Sequence, residues 1–179
     1  MSKKVLVLSG SPRKAGNSEM LCDQLIKGAL ESDHQVEKIF LRDKEINYCI
    51  ACEACQRNPG KCSIDDDMTE ILEKMIGADV IVMATPVYFY TLDAQMKTLI
   101  DRCVARYTEI KNKEFYFIMT AAVERKQMLE RTLECFRGFT VCLPGAAEKG
   151  VVYGTGAWKK GDIEASPAMK QAYEFGKNI

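Results

Sequence analysis

The most informative part of this sequence is VLVLSGSPRKAGNS, residues 5–18. It begins with an apolar run, Val5–Leu8, which continues into a loop of small and polar residues. A helical pattern follows, with apolar side chains every three or four residues: Leu21, Cys22, Leu25, Ile26, Ala29 and Leu30. An apolar strand that leads through a small-residue loop into an amphipathic helix is typical of a parallel sheet covered by helices.

The loop in this unit has the features of an anion site. Free backbone N–H groups and the positive end of the helix dipole favour a phosphate group at a helix N-terminus. The polar side chains suited to a phosphate monoester are Ser9, Ser11, Asn17 and Ser18. Arg13 can add a charge-assisted hydrogen bond. The alternative is a plain strand-to-helix turn without a ligand.

The spacing of the loop narrows the class of ligand. The triphosphate pattern G-x-x-x-x-G-K-[ST] does not fit, because Gly16 lies one position too far from Gly10 and Asn17 replaces the Lys. The dinucleotide pattern G-x-G-x-x-G is also absent. A hydroxyl-rich loop without the triphosphate Lys therefore favours a terminal monophosphate.

The composition limits the class of protein. With 179 residues, the chain is expected to form one domain, residues 1–179. Its 25 basic and 25 acidic residues cancel, which points neither to a nucleic acid nor to an anionic membrane as partner. No apolar stretch approaches the ~18 residues that cross a bilayer, and we expect a cytoplasmic protein without a signal peptide. There, the eight cysteines are not expected to form structural disulfides, and a cluster among them is expected to bind metal or to do redox chemistry.

Apolar strand patterns alternate with helical patterns along the chain. The predicted strands are residues 4–8, 36–41, 79–84, 114–120 and 150–153. The predicted helices lie near residues 18–31, 67–77, 92–106, 125–137 and 165–177. This alternation predicts an α/β fold with a doubly wound, five-stranded parallel sheet in the flavodoxin-like order 2-1-3-4-5 and helices on both faces. In that order a ligand binds at the switch point between strands one and three.

The loop after the third predicted strand borders the same switch point. It reads TPVYFY, residues 85–90, with a stiffening Pro86 and three aromatic side chains. Aromatic residues in a loop, where core packing does not require them, can flank a flat ring. The alternative is that Tyr88 and Phe89 pack under the loop or at a subunit contact. The neighbouring loop of residues 9–18, called the phosphate loop below, favours the ligand-binding interpretation.

Four cysteines stand within a short segment: Cys49, Cys52, Cys55 and Cys62. They occupy the longest stretch without a helix or strand pattern, about residues 44–66, and loops of such length tend to be functional. Four thiolates at this spacing can hold a [4Fe–4S] cluster or a tetrahedral zinc ion. Free, redox-active thiols are the third interpretation.

The two loops together resemble the NADPH-dependent FMN reductase family. The matching residues are SGSPR at 9–13, GNS at 16–18, PVYF at 86–89, QMK at 95–97 and DR at 101–102. The resemblance implies an FMN phosphate site formed by Ser9, Ser11, Pro12, Arg13, Gly16, Asn17 and Ser18. It also implies which residues border the isoalloxazine ring: Pro86, Val87, Tyr88 and Phe89 on one side, Thr120 and Ala121 on the other.

The cysteine segment is similar to that of a narrower branch, the iron–sulfur flavoproteins. In that branch a compact motif holds a [4Fe–4S] cluster near FMN at a subunit interface, which implies Cys49, Cys52, Cys55 and Cys62 as ligands. The spacing C-x2-C-x2-C-x6-C differs from the ferredoxin run C-x2-C-x2-C-x3-C-P. Zinc and free thiols therefore remain open as alternatives.

The function implied by the resemblance is that of an FMN-dependent oxidoreductase. Electrons from NAD(P)H or another donor would pass through FMN to a small-molecule acceptor or to the cluster. A non-enzymatic FMN electron carrier or redox sensor is the alternative, although such carriers tend to be acidic and this chain has no net charge. We expect a homodimer or homotetramer, in which the cysteine segment helps to cover a neighbouring flavin.

Overall fold

The computed structural model describes residues 1–179. Its strands are β1 (Lys4–Ser9), β2 (Gln35–Phe40), β3 (Val80–Pro86), β4 (Glu114–Thr120) and β5 (Ala147–Gly154). They form one parallel sheet in the order β2-β1-β3-β4-β5. The predicted sheet is therefore confirmed, with β1 and β3 as neighbours at the switch point.

The helices follow the predicted pattern with differences at their ends. They are α1 (Asn17–Glu31), α2 (Ala54–Arg57), α3 (Met68–Gly77), α4 (Ala94–Arg102), α5 (Glu130–Thr140) and α6 (Pro167–Lys177). The predicted helix over 92–106 ends at Arg102 and continues only as short 3₁₀ turns. The short α2, inside the cysteine segment, was not predicted. None of the helices is both long and apolar enough to cross a membrane.

The start of β5 was predicted three residues too late. Glu148 and Lys149 are exposed at the edge of the sheet, so the beginning of this strand lacks the apolar run that marks a buried strand. The register between β4 and β5 also shifts between Phe115 and Tyr116. Because of its edge position and this local irregularity, the start of β5 lacks the apolar pattern by which strands are predicted.

Helices cover both faces of the sheet and create two separate cores. On one face α3, α4 and α5 pack against the strands in a cluster of 25 buried residues. The rings of Phe117 and Phe136 stack there with their centroids 4.7 Å apart. On the other face α1 and α6 complete a cluster of 15 buried residues. Burial of both faces explains why the central strands are continuously apolar.

Two glycines allow α1 and α6 to lie in direct backbone contact. A Cβ atom on Gly28 would lie 2.2 Å from the carbonyl oxygen of Tyr173. A Cβ atom on Gly176 would lie 1.9 Å from the carbonyl oxygen of Leu25. Only hydrogen fits at either position, so this contact fixes α1, and with it the loop that precedes α1, against the last helix.

Candidate functional site

A cleft opens where the carboxyl ends of β1, β3 and β4 meet. Predicted site residues that line it are Ser11, Arg13, Asn17, Ser18, Pro86, Val87, Tyr88, Thr120 and Ala121. Ala122, Ala157 and Trp158 complete the lining. The phosphate loop, the aromatic loop and the loop after β4 are thus brought together, as the switch-point rule expects.

The other predicted residues of this site lie around the cleft rather than in its wall. Ser9 is fully buried at the end of β1, and its hydroxyl has no hydrogen-bond partner. Gly16 is buried directly before α1, and Pro12 is exposed. Phe89 projects into solvent with its side chain fully exposed.

Ser18 and Thr120 form a buried pair of hydroxyls in the cleft. Their oxygen atoms lie 2.5 Å apart, and this bond uses only one of the two hydroxyl protons. Ser11 Oγ accepts a hydrogen bond from the backbone N–H of Arg13 at 3.3 Å and keeps its own proton. The residue before α1, Gly16, supplies no side-chain cap, so the first N–H groups of α1 are left for a ligand.

Asn17 and Arg13 hold the segment after β5 against the cleft. Asn17 Nδ2 donates to the carbonyl oxygen of Lys159 at 2.8 Å, and the Gly161 N–H donates to Asn17 Oδ1 at 3.0 Å. Arg13 Nη1 donates to the carbonyl oxygen of Trp158 at 3.2 Å. These bonds bring Trp158 to the cleft wall, a role that its sequence position did not indicate.

A second arginine that sequence reasoning missed supports the phosphate loop from behind. Arg42, which follows β2, donates from Nη1 to the carbonyl oxygens of Ser11 and Arg13, both at 3.4 Å. The same nitrogen donates to Glu19 Oε2 at 3.0 Å. No local signal could have shown this role, because the contacts join a residue after β2 to the loop between β1 and α1, about 30 positions earlier in the sequence.

The aromatic loop closes in a strained two-residue turn. Tyr88 and Thr91 exchange two backbone hydrogen bonds of 3.1 Å, and the residues between them have positive φ, +48° for Phe89 and +63° for Tyr90. Turns of this type normally use Asn and Gly, because L side chains are strained there. The turn leaves the side chains of Phe89 and Tyr90 exposed to solvent, next to Tyr88, which lines the cleft.

A buried carboxylate lies behind the phosphate loop. Asp93, directly before α4, accepts a hydrogen bond on Oδ1 from Thr85 Oγ1 at 2.8 Å, whereas Oδ2 has no partner. Burial raises the pKa of Asp93 to about 6, and the bond from Thr85 opposes part of that effect. A Cβ atom on Gly10 would lie 2.5 Å from Asp93 Oδ1, so this close approach requires a glycine in the loop.

The four clustered cysteines line a second cavity, of about 250 Å³. The residues that line this cavity include Cys49, Cys52, Cys55, Cys62 and Arg102, together with several apolar side chains. None of these cysteines forms a disulfide. The thiol of Cys52 lies 3.1 Å from Ser63 Oγ, and a hydrogen bond from Ser63 lowers the pKa of Cys52.

The arrangement of these thiols fits some metal groups better than others. No three His, Cys, Asp or Glu side chains of the chain converge on one metal-ion position. A zinc ion would need its thiolates about 2.3 Å from a common centre. In a [4Fe–4S] cluster each thiolate binds a different iron, so that group needs four sulfurs that line one cavity rather than meet at one point.

A buried ion pair anchors the cysteine segment at both ends. Arg102 Nη1 and Nη2 donate to the two carboxylate oxygens of Asp66 at 2.6 and 2.9 Å. Nη1 also donates to the carbonyl oxygen of Asn47 at 2.6 Å. Burial alone would lower the pKa of Arg102, but Asp66 and the nearby Cys62 outweigh it and raise the pKa. The segment is therefore tied to α4 by a charged, bidentate contact.

The comparison with known proteins now decides the family. The sequence model described as NADPH-dependent FMN reductase matches residues 3–145. This chain belongs to the NADPH-dependent FMN reductase family. An iron-sulfur flavoprotein of Methanocaldococcus jannaschii is 46% identical to this family member over 99 residues, 55% of this chain and 51% of that protein. An iron-sulfur flavoprotein of Methanosarcina thermophila is 44% identical over 101 residues, 56% of this chain and 52% of that protein.

These matches confirm both resemblances inferred from the sequence. The chain spans about half the length of these curated relatives. Among solved structures, this FMN reductase family member is similar to an FMN-dependent NADH-azoreductase from Bacillus anthracis str. Ames Ancestor in complex with FMN. That comparison has a TM-score of 0.77 at 15% identity and covers 98% of both chains. At that identity it establishes the shared fold alone.

Proposed function

We propose that this protein is an FMN-dependent oxidoreductase, which takes electrons from NAD(P)H and delivers them to a small acceptor or to a [4Fe–4S] cluster on its own cysteines. The observation that carries the proposal is the single cleft that joins the phosphate loop, the aromatic loop and the loop after β4. Membership of the family supports FMN as the cofactor.

The phosphate of FMN is assigned to the end of the cleft beside α1. Ser11 and the Ser18–Thr120 pair each retain a hydroxyl proton to donate, and the first turn of α1 adds uncapped N–H groups. Arg13 contributes positive charge at the same place. This donor set suits a terminal phosphate, because charge-assisted hydrogen bonds are about twice as strong as neutral ones.

The ring of FMN is assigned to the wall formed by Pro86, Val87 and Tyr88, opposite Ala121 and Trp158. The cleft encloses only about 90 Å³, well below the roughly 300–1,000 Å³ of a complete ligand site. A ring bound there would remain partly open to water. A second copy of the chain would supply the missing cover, which supports a homodimer or homotetramer.

The chemistry needs little from the side chains beyond position. FMN, when bound, supplies hydride acceptance and the release of one or two electrons. The only histidine, His34, lies at the amino ends of the strands, away from the cleft, where it accepts a hydrogen bond from the Lys3 N–H. The residues of the cleft therefore hold and orient the cofactor, and none of them is required as an acid or a base.

The cysteine cavity is assigned to a [4Fe–4S] cluster. Its four ligands would be Cys49, Cys52, Cys55 and Cys62, which line one cavity. The names of the M. jannaschii and M. thermophila relatives support this assignment. The segment follows the carboxyl end of β2, and the cleft also lies at the carboxyl ends of the strands.

Anaerobic reduction tests the proposal. The protein is purified without oxygen, and NADPH or NADH is added while the flavin absorption is followed. The proposal predicts bleaching of bound flavin, followed by turnover when a quinone is supplied as acceptor. Bound FMN that neither nucleotide reduces would instead indicate the non-enzymatic carrier or sensor.

A further inference from the structure

The cysteine cavity contains a buried cation with an unused hydrogen-bond donor. Arg102 lines the cavity beside Cys62, which is close enough to interact with the guanidinium charge. Nη1 and Nη2 are engaged by Asp66 and Asn47, whereas Nε–H is buried without any partner. Because an unpaired buried donor is destabilising, this group points to an acceptor that binds in the cavity.

We propose that Arg102 Nε donates a hydrogen bond to a sulfur of the loaded cysteine site and thereby raises the reduction potential of the cluster. The acceptor is the Cys62 sulfur or a sulfide of the cluster. The inference rests on the proposed assignment of a [4Fe–4S] cluster to the four cysteines. Hydrogen bonds to cluster sulfurs and nearby charge are among the factors that set such potentials.

The direction of the effect follows from charge balance. In the step concerned, one electron passes from the reduced flavin to the cluster, and no bond forms or breaks. The reduced cluster carries one more negative charge, so a positive donor stabilises it more than the oxidised form. Arg102 itself is 2% exposed, so water does not screen the guanidinium charge on the side away from the cavity.

Asp66 partly neutralises the positive charge of Arg102, so substitutions at Asp66 change this charge without removing the Nε–H donor. Its carboxylate binds the outer edge of the guanidinium through Nη1 and Nη2, so Nε–H remains on the other side of the ion pair. Removal of the carboxylate charge alone leaves the guanidinium uncompensated. Removal of both charges eliminates the donor without leaving a buried ion unpaired, an exchange that proteins often tolerate.

The test compares three variants with the wild type after anaerobic reconstitution with iron and sulfide. The double variant Arg102→Met/Asp66→Asn removes the donor and both charges. Asp66→Asn keeps the donor and removes the opposing charge. Lys61→Gln is the matched control, because it removes an exposed cation next to Cys62. The readouts are iron per chain and the cluster potential from an EPR-monitored redox titration.

The expected result is a pair of shifts with opposite sign. The double variant should shift the reduction equilibrium at least tenfold towards the oxidised cluster, about 59 mV for one electron. Asp66→Asn should shift it towards the reduced cluster, and Lys61→Gln should change it by less than about twofold. This pattern distinguishes a tuning role from simple anchoring of the segment.

Three results would overturn the inference. The first is a double variant with full iron and an unchanged potential, which would make Arg102 an anchor only. The second result applies if the double variant binds no iron. It is an Asp66→Asn variant whose cluster potential is unchanged or lowered relative to the wild type. The third is wild-type protein that binds FMN but no iron, which would overturn the cluster assignment as well. Only this third result refutes the proposed function of the cysteines.

Discussion

Replacement of Ser18 by Ala is expected to weaken FMN binding and to leave riboflavin binding nearly unchanged. Ser18 shares one hydrogen bond with Thr120 across 2.5 Å in the buried part of the cleft, and the pair keeps one proton for a ligand. Riboflavin has the ring of FMN without its phosphate. With Thr120 as the donor within the pair, the Ser18 proton is the one that points to the phosphate, so only FMN should lose a contact when the Ser18 hydroxyl is removed.

The size of the effect follows from the charge on the acceptor. A hydrogen bond to a charged group contributes roughly 1.5–3 kcal/mol, which corresponds to an increase of about 10- to 150-fold in the FMN dissociation constant. Ser11→Ala should act in the same direction. Thr120 loses its partner in the Ser18 variant, so a small loss of stability, about 1 kcal/mol, accompanies the change.

The assay is a titration of apoprotein with each flavin, followed by quenching of flavin fluorescence. Ser166→Ala is the matched control, because Ser166 Oγ accepts a hydrogen bond from the Ala168 N–H at 3.2 Å at the start of α6. Its loss should cost about 1 kcal/mol of stability without changing FMN affinity. Equal losses for FMN and riboflavin in Ser18→Ala, or no loss for either, would refute the phosphate assignment.

Four further outcomes are expected. Cys52→Ser should slow electron transfer to the final acceptor in stopped-flow measurements without changing FMN affinity; loss of folding together with stoichiometric zinc would contradict this. Light scattering at micromolar concentration should give a dimer or tetramer, and a monomer would argue against a shared flavin cover. The pKa of Asp93 is raised from 3.8 to about 6, so ionisation of this carboxyl destabilises the folded state as the pH rises through that range. Asp93→Asn should therefore gain about 2 kcal/mol relative to wild type between pH 4 and pH 7 in urea unfolding, and a constant difference would contradict the buried charge. Tyr90→Gly should relieve about 1 kcal/mol of strain at φ +63° and raise the Tm by about 2–4 °C, whereas a lower Tm would show that the side chain stabilises the turn.

Local patterns predicted most of the fold and the outline of the cleft. The strand order follows from continuous apolar runs separated by amphipathic helices, and it places the loops after β1 and β3 side by side. Small hydroxyl residues before α1 and aromatic residues after β3 are unusual for plain turns. Both signals lie within short stretches of sequence, which is why they could be recognised.

The contacts that could not be predicted join residues distant in sequence. Arg102 and Asp66 are 36 positions apart, and each has ordinary neighbours in its own segment. Asn17 binds the tail around Lys159 across 142 positions. A single sequence contains no pairing information of this kind, so the anchor of the cysteine segment and the place of Trp158 required the three-dimensional structure.

Identification of the flavin released from the purified protein shows whether the cleft selects FMN through its phosphate. Protein purified without added flavin is denatured, and the released flavin is identified by chromatography and counted per chain. We expect FMN, at up to one molecule per chain, because the hydroxyl loop binds a terminal phosphate. Release of FAD or riboflavin, or an apoprotein that fails to take up FMN in preference to riboflavin, would contradict it.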